Sequence, residues 1–349
     1  MRGGDHLHMH TPRTTFTLIG IAAALLLGSC GRDAAAPADA TTGADDPKLL
    51  RVAVVPKGTT HDFWKSVHAG AKRAEQSLEG VEVTFTGPER EDDRAQQVAL
   101  IENLISAKYD AIVLAPLDDT ALVAPVRLAT RAGIPVVIID SGLNAEVGTD
   151  FVSFIATDNQ QGGRLAGQHM ATLLEGTGRV LILRYQEGSA STRLREQGFV
   201  EAITEADGIE LIDPGRYAGA TRATAQEAAE NLLTTYSDID GIFCPNESST
   251  FGMLLALRSR GLAGDVRFVG FDASEGLVEA MASGQIDALV VQNPIRMGQL
   301  GVRAAVEHIR GQAQEPRIDT GVMLITPETM DSAEARDLLS PDFTALGGP

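Results

Sequence analysis

From residue 50 onward, short unbroken apolar runs alternate with longer stretches in which apolar residues recur three and four positions apart. An unbroken run marks a strand buried on both faces, and the wider spacing marks a helix with one buried face. The pattern predicts strands at 50–55, 81–84, 111–114 and 136–139, with helices at 63–78, 94–107 and 120–132 between them. In the second of these helices Val98, Leu100, Ile101, Leu104 and Ile105 line up on one face. A connecting strand at 151–155 opens a second set, with helices at 159–174, 191–205, 223–235, 249–260 and 275–282. Its strands fall at 179–183, 209–212, 241–244, 266–271 and 288–291, and a helix at 294–309 follows. Such βα alternation is satisfied by a parallel sheet with helices on both sides. At 349 residues, two doubly wound α/β lobes in tandem fit better than one very large sheet, and the cleft between them is a natural ligand site.

The stretch 52–65 is the most informative. Val52 to Val55 is an apolar strand, Pro56 stops it, Gly58 turns the chain, and Asp62 is placed to cap the helix that begins at Phe63. The one tryptophan of the protein, Trp64, stands beside Phe63. Loops at the carboxyl ends of parallel strands are where ligands bind in open α/β sheets, so this aromatic pair either covers a ligand's apolar face or serves as a hydrophobic staple and a core residue. Polar residues recur at the same kind of position. Asp140 ends Val-Val-Ile-Ile-Asp, Thr157-Asp158-Asn159 follows Ser-Phe-Ile-Ala, and Asn246 and Glu247 follow Ile-Phe-Cys-Pro. Asp272 follows Phe-Val-Gly-Phe and Gln292 follows Ala-Leu-Val-Val. One such group is an ordinary turn or cap residue. Repeated at successive strand ends, they suit a ligand rich in hydroxyls, each of which donates and accepts.

Charge and leader narrow the setting. The formal net charge of −18 argues against nucleic acid or an anionic bilayer as the main partner. Arg2 and Arg13 precede the apolar run 16–27, which ends in Gly28-Ser29-Cys30, the form of an export signal. Residues 1–29 are therefore expected to be removed. Leu27-Gly-Ser-Cys30 resembles the bacterial lipoprotein signal, with Cys30 as the lipidated N-terminus, the other reading being an ordinary cleaved leader. Residues 30–47, rich in Ala, Asp, Thr and Gly, read as a flexible tether. Cys244 is then the one remaining thiol, so no internal disulfide forms, and its strand-like surroundings predict a buried, inert side chain. Histidines His61, His68, His169 and His308 are scattered, and no zinc, phosphate-loop or nucleophile-elbow motif is present. Neither catalytic residues, metal nor cofactor is expected, and an export leader stands where a transcriptional regulator of similar fold carries its DNA-binding helices.

With these residues in hand, the chain resembles the periplasmic sugar-binding proteins of ABC importers, of the ribose/galactose-binding type. The likeness runs from about 50 to 326 and rests on Asp62-Phe-Trp, Val-Val-Ile-Ile-Asp140, Ala156-Thr-Asp-Asn-Gln-Gln-Gly-Gly163 and Ser191-Thr-Arg-Leu-Arg-Glu-Gln-Gly-Phe199. Phe243-Cys-Pro-Asn246, Val269-Gly-Phe-Asp272 and Val291-Gln-Asn-Pro294 complete it. The resemblance implies that Phe63 and Trp64 sandwich a sugar ring and that Asp140 bonds ring hydroxyls. Thr157 supplies a hydroxyl at a crossover, Arg193 reaches the sugar from the C-terminal lobe, and Asn246, Asp272 and Gln292 complete the contacts. Arg193 is otherwise a surface ion-pair residue, and Arg195 is read as structural.

The resemblance further implies an N-terminal lobe of 47–157 plus 293–319 and a C-terminal lobe of 158–292 plus 320–349. Three crossovers join them, and a hinge closes them on the ligand. The implied protein is a monomer of the cell envelope, touching the membrane only through its lipid anchor. It would deliver its ligand to an ABC permease and ATPase, or alternatively present it to a receptor or histidine kinase. Some positions depart from the family pattern. Lys57 and His61 stand where neutral residues are usual, Ala115 and Ser141 replace the usual Asn and Arg, and the C-lobe aromatic is absent or displaced to Tyr217. Lys57 and His61 are either exposed loop residues or cleft residues that favour an acidic or phosphorylated sugar.

Overall fold

The computed structural model describes residues 49–347. The leader 1–29, Cys30 and the tether 30–47 lie outside the described residues. The first half runs β1 (Leu50–Val55), α1 (Asp62–Ser77), β2 (Val81–Phe85), α2 (Arg94–Ser106), β3 (Ala111–Leu114), α3 (Val123–Arg131), β4 (Val136–Ile139) and β5 (Ser153–Ala156). It continues with α4 (Asn159–Leu173), β6 (Thr177–Ile182), α5 (Ala190–Ile203), β7 (Gly208–Ile212), α6 (Arg222–Thr235), β8 (Gly241–Phe243) and α7 (Glu247–Arg260). Then come β9 (Arg267–Phe271), α8 (Glu275–Ala282), β10 (Ala288–Gln292), α9 (Pro294–Ile309), β11 (Arg317–Asp319), β12 (Val322–Ile325) and α10 (Ala333–Leu339), with a 3-10 turn at Thr344–Leu346.

These strands form two six-stranded sheets, β11-β5-β4-β3-β1-β2 and β12-β10-β9-β8-β6-β7. The first is parallel throughout. The second carries one antiparallel edge, β12 against β10, which the apolar-run pattern did not foresee. Period-two alternation divides each sheet between two cores. Val52 and Val54 pack with α1 and α9, whereas Ala53 and Val55 pack with α2 and α3. In the second lobe Val180 and Ile182 face α4 and α5, and Leu181 faces α6, α7 and α8. Cys244 is buried, and burial pushes its thiol up, as expected of an inert core residue.

Glycines let the main helix pairs meet backbone to backbone. A Cβ on Gly70 of α1 would lie 1.9 Å from the Ile295 carbonyl oxygen of α9, and one on Gly163 of α4 would lie 1.9 Å from that of Arg195 on α5. The chain passes between the sheets after β5, after β10 and between β11 and β12. Its last turn, assigned from sequence to the C-terminal lobe, instead returns to the first lobe. The 3-10 turn packs on α1, and Arg73 of α1 donates to the carbonyl and carboxylate of Asp342. No helix among the described residues is long and apolar enough to cross a membrane.

Candidate functional site

The carboxyl ends of the two sheets face each other across a cleft lined by Lys57, His61, Phe63, Trp64, Glu91, Asp140, Tyr185, Ser191, Thr192, Arg195, Asn246, Glu247, Asp272 and Gln292. A wider groove, of about 580 Å³, lies at the amino ends of β4 and β5, but its one titratable side chain, His308, is exposed. Chemistry rather than size therefore selects the cleft.

Asp140 and Asp272 occupy equivalent places, each the first residue beyond its strand. Both adopt the left-handed backbone conformation, with φ of 62° and 67°. That conformation is sparsely used by residues with a side chain and collects at functional sites. Burial pushes the Asp272 carboxyl up to about 6, although Arg195 and a hydrogen bond from Gln292 pull the other way. Gln292 Nε2 donates to Asp272 Oδ1 at 2.7 Å, and the Glu247 amide donates to Oδ2 at 3.1 Å. Two buried acceptor oxygens in this group lack a hydrogen bond, Gln292 Oε1 and Asp140 Oδ2. The second lies 2.8 Å from Lys57 Nζ as an ion pair but outside hydrogen-bonding angles. Both are open to a donor.

The N-terminal lobe contributes the aromatic wall. Helix α1 begins after His61, which has extended backbone and no side-chain cap bond. Asp62, expected as the cap, is already the first helical residue. The Phe63 amide instead donates to Glu247 Oε2 of the opposite lobe at 3.1 Å, so a carboxylate sits at the positive end of the helix. Phe63 and Trp64 are buried with ring centroids 4.8 Å apart at 87°, an edge-to-face pair. They form one wall, not the two plates of a sandwich. The facing aromatic is Tyr185, just past β6. Tyr217, the sequence candidate, is 45% exposed and does not line the cleft.

Lys57 and His61 do face the cleft, but each already has an anion. Lys57 Nζ lies 2.8 Å from Asp140 and donates to Ser191 Oγ at 2.9 Å. His61 Nδ1 is 2.5 Å from Glu91 Oε1. Burial alone would lower the His61 imidazole, yet the Glu91 charge and hydrogen bond raise it to about 9. Burial would raise Glu91, but His61, Lys57 and the Trp64 N–H outweigh it and hold the carboxyl at about 2.

Two sequence candidates fall elsewhere. Arg193 lies at the rim, its side chain 56% exposed and paired with Asp119 of the other lobe. Arg195 takes the inner place. It stacks 4.0 Å over the Phe271 ring, donates to Asn159 Oδ1 at 2.7 Å and to the Pro245 carbonyl at 3.0 Å, and lies 3.7 Å from Asp272. Two residues along a helix are about 200° apart, so only one of the pair can face inward. Thr157 is buried at the first crossover, where its hydroxyl meets Thr320 Oγ1 at 3.3 Å, away from the cleft. Asn246 lines the cleft while capping α7, its Oδ1 accepting from the Ser249 amide and hydroxyl and its own backbone N–H donating back to Ser249 Oγ. Glu91, Tyr185, Ser191 and Thr192 also line the cleft without standing out as site residues in the sequence, and Glu247, which follows a strand end, joins them. Tyr185 closely follows β6, within reach of the strand-end criterion extended to every strand, whereas Glu91 lies further along the loop after β2, among Glu89, Asp92 and Asp93, and nothing in the pattern singles it out. Among the described residues no group of His, Cys, Asp and Glu is placed to hold a metal.

Residues 52–313 match the family model described as a periplasmic binding protein domain. The chain belongs to this family. Membership places this binding protein in the periplasm or otherwise outside the cytoplasm, and its relatives are solute-binding proteins. It is 28% identical to the D-ribose/D-allose-binding protein of Pseudomonas aeruginosa, over 81% of its own length and 91% of that protein. It is 31% identical to the D-allose-binding periplasmic protein of Escherichia coli, over 73% and 83%. Among solved structures it superposes with TM-score 0.80 on an ABC transporter solute binding protein from Agrobacterium vitis with bound D-fucose. That protein is 35% identical, with 83% of this binding protein and 99% of that chain covered.

Proposed function

We propose that this protein captures a neutral, polyhydroxylated sugar or cyclitol between its lobes and delivers it to an ABC permease. One observation carries the reading. Two buried aspartates in strained backbone, Asp140 and Asp272, face each other beside an aromatic wall, with open acceptors for hydroxyl donors. Phe63 and Trp64 would cover the ring, and Asp140, Arg195, Asn246, Asp272 and Gln292 would bond its hydroxyls. The sequence reading in which Lys57 and His61, if they faced the cleft rather than solvent, would favour an acidic or phosphorylated sugar is set aside. Each cation is matched by a carboxylate of the protein, so neither is left for a ligand's anion. The bound sugars of structural relatives, D-fucose and D-arabinose among them, agree with a neutral ligand. Working as a monomer, the protein would be held at the membrane by lipid on Cys30.

Thermal-shift screening tests this with D-ribose, D-allose, D-fucose, D-arabinose, myo-inositol and D-galacturonate. A neutral member is expected to raise the melting temperature by mass action. Asp272→Ala is expected to abolish that rise while the protein still folds, whereas Arg193→Ala at the rim leaves most of it. A response to galacturonate alone, or to none of the panel, would count against the reading.

A further inference from the structure

Glu91 has no counterpart among the hydroxyl-binding groups described above, yet it is 5% exposed and the most heavily bonded carboxylate of the cleft. It sits in the loop between β2 and α2. Its Oε1 accepts from the Trp64 indole N–H at 2.7 Å and pairs with His61 Nδ1 at 2.5 Å. Its Oε2 accepts from the Tyr185 hydroxyl at 2.9 Å, and its backbone carbonyl accepts from Gln186 Nε2 at 2.9 Å. His61 and Trp64 belong to the first lobe with Glu91, whereas Tyr185 and Gln186 belong to the second. The packing makes room for this arrangement. A Cβ on Gly58 would come within 2.8 Å of Glu91 Cγ, so a larger residue there would displace the side chain.

We propose that Glu91 is a positioning residue that couples the setting of Trp64 to the meeting of the lobes. When the lobes part, Tyr185 and Gln186 leave with the second lobe, while His61 and Trp64 stay on Glu91. Oε2 then loses its protein donor and takes water, and the loop that carries Glu91 loses its anchors in the second lobe. The indole is held rigidly only while the Tyr185 hydroxyl fixes the carboxylate from the other side. A desolvated carboxylate makes this bond stronger than an ordinary neutral one. It also adds an attraction between the lobes that is independent of any ligand.

This inference rests on reading the cleft as the binding site, but its test needs no sugar, so the two can fail separately. The chain has a single tryptophan, so intrinsic fluorescence and acrylamide quenching report on Trp64 alone. Tyr185→Phe removes the oxygen that donates to Glu91 Oε2 and leaves both the carboxylate and the indole in place. It is expected to shift the balance of lobe opening by about tenfold, the equivalent of one charged hydrogen bond, and so raise quenching of Trp64 in the full-length protein. Glu91→Gln, which keeps acceptor capacity without the charge, is expected to raise quenching in the same direction. Tyr217→Phe, an exposed tyrosine of the same lobe, is expected to leave it unchanged. Unaltered quenching in folded Tyr185→Phe overturns the proposal. If that variant does not fold, unaltered quenching in Glu91→Gln does so.

Discussion

Two carboxylates of one cleft titrate in opposite directions, because one has cations at bonding distance and the other has mainly burial. Burial holds the Asp272 proton up to about 6 against an ordinary 3.8, so the folded protein binds that proton more tightly than the unfolded chain. The resulting stabilisation is complete below pH 3.8 and lost as pH rises through 6, a swing of about 3 kcal/mol at about 1.4 kcal/mol per unit. Asp272→Asn removes this titration. Its stability relative to the parent is therefore expected to improve steadily as pH is raised from about 4 to 7 in urea unfolding. A constant difference would mean that Asp272 is not desolvated. Glu91 has the reverse sign: its contribution is present above 4.5 and lost as pH falls through about 2. The strand-end rule made Asp140, Asn246, Asp272 and Gln292 legible as cleft residues. It could not separate Arg193 from Arg195, because which face of α5 turns inward depends on the packing of α4. Nor could it reveal that Lys57 is balanced by Asp140, a pairing made only in the fold, or His61 by Glu91, which reaches it from a loop with no periodicity.

At the scale of elements, most strands and helices were readable because their apolar runs are long and unambiguous. The misses have physical causes. Strands β11 and β12 are short, half-exposed edges, whose residues need not be uniformly apolar. The glycines of α4 and α5 were visible in the sequence, but not their purpose of letting two backbones touch. Gly163→Ala places a methyl 1.9 Å from the Arg195 carbonyl oxygen and must separate the helices. The variant is expected to lose about 1–3 kcal/mol by overpacking and, by moving Arg195, to bind sugar more weakly. Calorimetric melting and titration with a responsive sugar check both effects, and a normal melt with normal affinity would show that the contact yields.

Considered whole, the molecule has two lobes with separate cores, joined by three crossovers and by bonds across the cleft. That two-sheet plan was legible from the alternation of elements. The return of the last turn to α1 was not, because its anchor is an ion pair between Arg73 and Asp342, distant in sequence. Separate cores imply weak coupling in the absence of a bridging ligand. Calorimetry without sugar is expected to give a broad or double unfolding transition. A sugar at a hundredfold excess over its Kd should add about 2.7 kcal/mol and sharpen the melt into one. A single transition unchanged by sugar would indicate that the crossovers alone fuse the lobes.

The left-handed backbone at positions 140 and 272 also bears on how such a protein responds to selection. Asparagine tolerates that conformation, and at 272 it would also remove a carboxylate that burial disfavours, whereas at 140 any neutral residue would strand the buried Lys57 ammonium. A library screened only for heat resistance should therefore drift at 272 while holding Asp140, and that one step would yield a sturdier scaffold and a poorer receptor.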